Sequence, residues 1–167
     1  MADIADLLVE DPRWNDTALA TLAPKAISIA LEAAGVASRA VEVSVLACND
    51  DAIAALNSTF RGKTTATNVL SWPAIDLFPT TPGAAPATEL PVDPSGVTSL
   101  GDIALAYETV MAEAQRAGIP ADDHILHLIL HASLHLLGYD HIEDADAARM
   151  EQLEVETLAK LGIASPY

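Results

Sequence analysis

All five histidines of this 167-residue chain fall between positions 124 and 141. The segment His131-Ala-Ser-Leu-His135-Leu-Leu-Gly138-Tyr-Asp-His141 constrains the fold more than any other. The stretch from about Asp122 to Leu137 is predominantly apolar and reads as a helix. At 3.6 residues per turn, His131 and His135 lie on one face of it, one turn apart. Gly138 ends the helix, because glycine takes the left-handed conformation that reverses a chain. His141 can then swing back toward the first two rings. The pattern calls for a helix–turn unit on which three imidazoles converge.

Three neutral imidazoles leave a zinc ion one open position, the arrangement of catalytic rather than closed structural sites. No cysteine lies nearby to close it. The single cysteine, Cys48, sits in the apolar run Val43-Ser-Val-Leu-Ala-Cys48, excludes an intramolecular disulfide framework and reads as a buried structural thiol. His127, four residues before His131, lies near the same helix face. It is either a further ligand or a supporting residue, and His124 has the weaker claim. Asp140 is either a carboxylate that orients an imidazole or a local cap. Glu143 and Asp144 could each add a carboxylate to a metal, although Asp144 better fits the cap of a last helix. The spacing also matches the zinc-peptidase pattern His-Glu-x-x-His-x-x-Gly-x-x-His. Ala132 stands where those enzymes carry the glutamate that acts as general base, so their mechanism does not transfer.

Charge narrows the function classes. Lys plus Arg is 8 and Asp plus Glu is 24, a formal charge of −16. A protein that coats nucleic acid needs a basic footprint and is disfavoured. Any RNA contact must come through a small local basic site. Arg61 and Lys63 offer one, with two of the eight basic residues within three positions. A guanidinium there can grip a phosphate bidentately; the competing reading is a solvated loop. Residues 140–156 carry seven acids and one arginine, and read as a solvated face or a surface for a basic partner. The N-terminus is acidic, unlike an export signal, and the longest apolar stretch, Ile125 to Tyr139, is shorter than the roughly 20 residues of a membrane span. The expected location is the cytoplasm.

With 51% apolar and 19% charged residues, the chain has the composition of a folded protein, and its length fits one domain over 1–167. Strands are expected at 3–10, 41–47, 68–72 and 102–106. Helices are expected at 17–34, from Asn49 or Asp50 to 58, from about 107 to 117, at 122–137, and from a cap at Asp144 onward. Pro24 either kinks the first helix or marks its late start. Residues 73–96 hold six of the ten prolines and read as one long loop or flap. Strands interleaved with helices point to an α/β arrangement in two or three layers around a small sheet, with the strand order left open.

The histidine segment closely resembles the signature His-Gly-x-Leu-His-Leu-x-Gly-Tyr-Asp-His of the YbeY family, the bacterial rRNA-maturation endoribonucleases. Two further blocks are similar to that family's and occur in its order. One is Leu56-Asn57 through Phe60-Arg61-Gly-Lys63 and Thr67-Asn68-Val69-Leu70-Ser71, and the other is Leu100-Gly101-Asp102-Ile103. The resemblance implies an α/β (α+β-like) fold, with a mixed, mostly parallel sheet of about four strands and about five helices. It implies one Zn2+ held by His131, His135 and His141, a catalytic Arg61 acting on the RNA phosphate, and Lys63 holding the RNA backbone. The implied activity is cleavage of single-stranded RNA, in 16S rRNA 3′-end maturation and ribosome quality control. The implied partners are ribosomal RNA, the ribosome or a small-subunit ribosomal protein, and the Era GTPase. Ala132 departs from the family's glycine, Thr64 and Ala66 from its usual Asp and Pro, and the 73–96 stretch is longer than its usual connection. Two other readings compete: a metallohydrolase of another substrate such as peptide, and a non-catalytic ribosome-assembly factor with a structural metal.

Overall fold

The computed structural model describes residues 4–37, 40–63, 65–91 and 93–167. Among them, four strands form one sheet: β1 (Ala5–Val9), β2 (Val41–Cys48), β3 (Val69–Pro73) and β4 (Thr98–Ala106). The order across the sheet is β1-β2-β4-β3. The β1–β2 and β2–β4 pairs are parallel and β3 runs antiparallel to β4, the mixed, mostly parallel sheet that the resemblance implies. Five α-helices accompany it among the described residues: α1 (Leu19–Ala33), α2 (Asp50–Arg61), α3 (Tyr107–Ala117), α4 (Ala121–Leu136) and α5 (Asp144–Lys160).

The alternation of β2 sorts the two faces of the sheet. Val41, Val43, Val45 and Ala47 point into the main core, and Glu42, Ser44 and Leu46 point the other way. α4 lies at the centre of the main core, packed against α1, α3, α5, β3 and β4. Ile125, Ile129, Leu130, Leu134 and Leu136 are fully buried, which is why the helix reads as apolar nearly all round. The histidines of α4 are therefore set in a rigid element. Across the sheet, α2 covers a smaller cluster of Cys48, Ile53, Leu70, Ala104 and Ala106. The Cys48 thiol donates to the Leu105 carbonyl at 3.4 Å, and burial pushes its pKa up to about 11, as befits a structural thiol.

A bulge at Leu100 breaks the register between β2 and β4. Gly101 follows it at φ +139°, and a Cβ there would overlap the Trp72 carbonyl oxygen. Glycine at this point lets β3 and the entry to the loop beyond it lie close against β4.

Several elements differ from the expected bounds. A 3-10 helix at Pro12–Asp16, absent from the expected elements, precedes α1; the Asp11 side chain caps it by accepting from the Arg13 amide, with Pro12 at its first position. Trp14 in it is buried, and its indole donates to the Cys48 carbonyl at 2.8 Å, which holds the segment against the sheet. Pro24 lies inside α1, so it does not mark the helix start. α2 is capped by the Asn49 side chain, which accepts from the Ala52 amide at 2.8 Å, and it runs past Ser58 to Arg61, where Gly62 in the left-handed conformation closes it. β4 begins at Thr98, four residues early, because the glycine in its run obscures the strand pattern. Asp144 is the first residue of α5 and not its cap; Glu143 holds the cap position without a side-chain bond. Asp144 and Asp146 instead favour the positive end of the helix dipole.

Beyond Pro73, the residues to 96 form no regular element among those described, as expected of a loop. It is not a free flap. The Gly83 amide donates to Asp146 at 2.7 Å, the Arg149 guanidinium donates to the Gly83 carbonyl at 2.8 Å, and Leu90 is buried in the main core. Among the described residues, no helix is long and apolar enough to cross a membrane.

Candidate metal centre

The last two turns of α4 carry His131 and His135, and the reversal after them carries His141. The ring centroids lie 4.7 Å apart for His131–His135, 4.9 Å for His135–His141 and 5.7 Å for His131–His141. One nitrogen of each ring lies within 4.8 Å of the others, so the three could hold a metal ion. The turn depends on Gly138, at φ +103°, where a Cβ would overlap the Leu77 carbonyl oxygen. The proline-rich loop therefore presses against the turn that brings His141 round.

Hydrogen bonds fix the tautomers. The Tyr139 carbonyl can only accept, so His135 Nδ1, 2.9 Å from it, carries the proton. A carboxylate can also only accept, so His131 Nδ1 donates to Glu154 Oε1. With both rings neutral, the form that ligates a metal, their Nε2 atoms carry lone pairs, and they face each other at 3.1 Å. Two lone pairs so placed repel, and a cation between them removes the conflict. Tetrahedral zinc at ordinary Zn–N distances sets its ligand nitrogens about 3.3 Å apart. The donor set fits zinc. Burial, then repulsion from His131 and His141, lowers the His135 pKa to about 4, so its ring is neutral at pH 7, the form that ligates.

Glu154 is the residue that sequence reasoning missed. It is fully buried on α5. Besides the His131 bond, its Oε2 accepts from the Tyr167 hydroxyl at 2.7 Å and faces His127 Nε2 at 3.3 Å. Burial alone would raise its pKa, but the bonds to His127, His131 and Tyr167 outweigh it and hold the carboxyl at about 2. The reading of 140–156 as a solvated face fails here. The available signal was positional: Met150, Glu154 and Leu158 are spaced four apart, so an acid stands in the apolar stripe of α5.

His127, His131 and Glu154 form a second cluster with metal-ligand spacing. Its contacts are already made as hydrogen bonds, and ligation there would use His131 Nδ1, whose proton Glu154 accepts. We therefore assign His127 to supporting Glu154. His124 lies outside the cleft lining and pairs with Glu113 at 3.0 Å, which also accepts from Asn68 at 2.9 Å. Asp140 accepts from the His141 backbone amide at 2.8 Å, a local turn. Glu143 and Asp144 belong to neither metal-competent cluster among the described residues.

The histidines open into a cleft of about 580 Å³, lined also by Arg61, Asn68, Val69, Ser71, Phe78, Ala132, Ile142 and Tyr167. Arg61 closes α2 and donates from Nη2 to the Ser71 carbonyl at 3.2 Å, which brings its guanidinium to the cleft wall. Buried Asn57 pins the loop after α2 by donating to the Thr65 carbonyl at 2.9 Å. Lys63 is exposed and not among the lining residues, so Arg61 and Lys63 are not brought together in the cleft. Ala66 is exposed, and Thr64 lies outside the described residues.

The family model described as Endoribonuclease YbeY matches residues 9–162. An Endoribonuclease YbeY of Dinoroseobacter shibae is 52% identical over 97% of this chain and 89% of its own length. One from Ruegeria pomeroyi is 52% identical over 97% of this chain and 96% of its own. One from Paracoccus denitrificans is 47% identical over 99% of this chain and 90% of its own. A solution structure of a Thermotoga maritima protein matches with TM-score 0.55 at 20% identity, over 95% of this chain and 91% of that one, a likeness of fold.

Proposed function

The chain belongs to the YbeY endoribonuclease family, and from that premise we propose that it is a zinc-dependent endoribonuclease, specific for single strands, that matures the 3′ end of 16S rRNA and serves ribosome quality control. In this reading residues 1–167 act as one domain in the cytoplasm. Its partners are ribosomal RNA, the ribosome or a small-subunit ribosomal protein, and the Era GTPase.

The observation that carries the reading is the convergence of His131 and His135, whose Nε2 atoms face each other at 3.1 Å in a cleft that also holds a guanidinium. His131, His135 and His141 would hold the zinc. Bound there, zinc supplies Lewis acidity at the scissile phosphate. Glu154 holds the His131 ring in one orientation and one tautomer. The Tyr139 carbonyl does the same for His135. Arg61 neutralises the charge that develops on the phosphate oxygens during displacement. Lys63, outside the cleft lining, holds the RNA backbone further along the strand. Ala132 offers no carboxylate beside the first ligand, which counts against the peptidase reading.

The test is cleavage of a labelled RNA in single-stranded form and annealed to its complement, by the wild-type protein and by Arg61→Ala. The reading expects cleavage of the single strand alone, and its loss in the variant at unchanged zinc content. Equal cleavage by both proteins would overturn the role of Arg61.

A further inference from the structure

Seven large apolar side chains stand exposed among the described residues, and three of them, Phe78, Ile142 and Tyr167, line the metal cleft. They are 36%, 79% and 61% exposed. Each is held beside the proposed centre by a different device. Phe78 follows Leu77, whose carbonyl lies against Gly138 in the turn that carries His141. Ile142 is the next residue after His141. Tyr167 is tied through its hydroxyl to Glu154. The proline-rich loop that presents Phe78 is itself pinned to α5 through Gly83, Asp146 and Arg149.

Electrostatics say what such a mouth must grip. The chain carries a formal charge of −16, and among the described residues Arg61 is the lysine or arginine that lines the cleft. Each phosphate neutralised adds only about 0.7 to the salt slope of single-strand binding, so phosphate contacts alone give this cleft little hold on a polyanion. Flat apolar faces at the mouth supply what charge does not, since every nucleobase has a π-face that stacks on an aromatic ring.

We propose that Phe78 and Tyr167, with Ile142 beside them, form a stacking subsite for one unpaired nucleobase adjacent to the scissile phosphate. The proposal rests on the endoribonuclease reading and adds to it. It gives the 73–96 loop a task, presenting Phe78 to the substrate. It also gives single-strand preference a physical source, because a base paired in a duplex cannot turn its face to a protein ring.

The test couples base to ring. A single-stranded RNA is prepared intact and with one abasic ribose placed in turn on either side of the cleaved bond. Both forms are cleaved by the zinc-loaded wild type, Phe78→Ala, Phe78→Trp, Tyr167→Phe and Tyr167→Ala. In the wild type, the abasic site at one flanking position raises KM about tenfold. Phe78→Ala raises KM for intact RNA by a similar factor and is indifferent to that abasic site; Phe78→Trp restores both the KM and the sensitivity. Tyr167→Phe keeps the abasic sensitivity and Tyr167→Ala weakens it. If every variant shows the wild-type ratio between intact and abasic RNA, the subsite is overturned while the nuclease reading stands. If wild type cleaves neither RNA, the nuclease reading falls and the subsite with it.

Discussion

Glu154 accepts a hydrogen bond from His131 Nδ1 across 23 residues of chain, and that contact turns the other ring nitrogen toward His135 and the cleft. A buried carboxylate behind a histidine fixes its tautomer and raises its basicity as a ligand. Glu154→Gln keeps the shape but presents a carboxamide whose donor group faces donors. We expect zinc affinity to fall about 10- to 100-fold, measured by competition with a chromophoric chelator. Glu154→Ala leaves buried donors unpaired and should cost roughly 3 kcal/mol in urea unfolding. Zinc affinity and stability equal to wild type in both variants would contradict this role.

Gly138→Ala tests the turn. The residue sits at φ +103° with no room for a Cβ beside the Leu77 carbonyl. The substitution should cost about 1–3 kcal/mol and weaken zinc binding, because relieving the overlap displaces either His141 or the loop. Gly101→Ala meets a comparable overlap at the Trp72 carbonyl and touches the Leu136 side chain, but Gly101 belongs to no metal-competent cluster among the described residues. It should lower stability and leave zinc affinity within a fewfold. Equal zinc loss in both would show that the effect is general unfolding.

Arg61→Ala should lower kcat about 10²- to 10³-fold, as for removal of one preorganised group that stabilises transition-state charge. Arg61 is exposed and its bond to the Ser71 carbonyl is marginal for stability, so unfolding should shift by less than about 0.5 kcal/mol. Arg61→Lys keeps the charge but not the planar fork and should recover only part of the rate. Lys63→Ala, outside the cleft lining, should act on KM more than on kcat.

The metal-free protein should lose stability in acid. His135 falls from an ordinary 6.5 to about 4 in the fold, so between those values the unfolded chain binds a proton that the native one refuses. The contribution is complete above pH 6.5 and is lost as pH falls toward 4, up to about 3 kcal/mol. Glu154, lowered from 4.5 to about 2, adds a loss in the same direction below pH 4.5. Urea unfolding of chelator-treated protein at pH 7.5, 6, 5 and 4 measures it. Stability that stays flat or rises over that series contradicts the assignment of His135 as neutral.

The parts legible in the sequence were the local ones. His131, His135, Gly138 and His141 lie within eleven residues, so helix periodicity and one glycine suffice to bring them together. The alternation of β2 and the Asn49 cap are equally local. The bounds failed for two different reasons. The 3-10 helix is held by Trp14 reaching the Cys48 carbonyl, a contact of the fold, whereas α2 runs on to Arg61 until Gly62 stops it, a local signal that the expected end at Ser58 passed over. Glu154 was hidden among seven acids because its partner lies on another helix, and only its place in the Met150–Leu158 stripe sets it apart. The side chain of Tyr167 reaches the same carboxylate through the fold, a contact that no local pattern announces.

The most direct measurement of the central claim is a metal add-back titration of RNA cleavage. The protein is stripped with chelator, and zinc is returned in fractions of an equivalent while cleavage of a single-stranded 16S rRNA 3′-end fragment is followed, in wild type and in His135→Ala. The account predicts loss of cleavage on stripping, full return at one zinc per chain, and no return in His135→Ala. Undiminished cleavage by the stripped protein, or full recovery in His135→Ala, would contradict it.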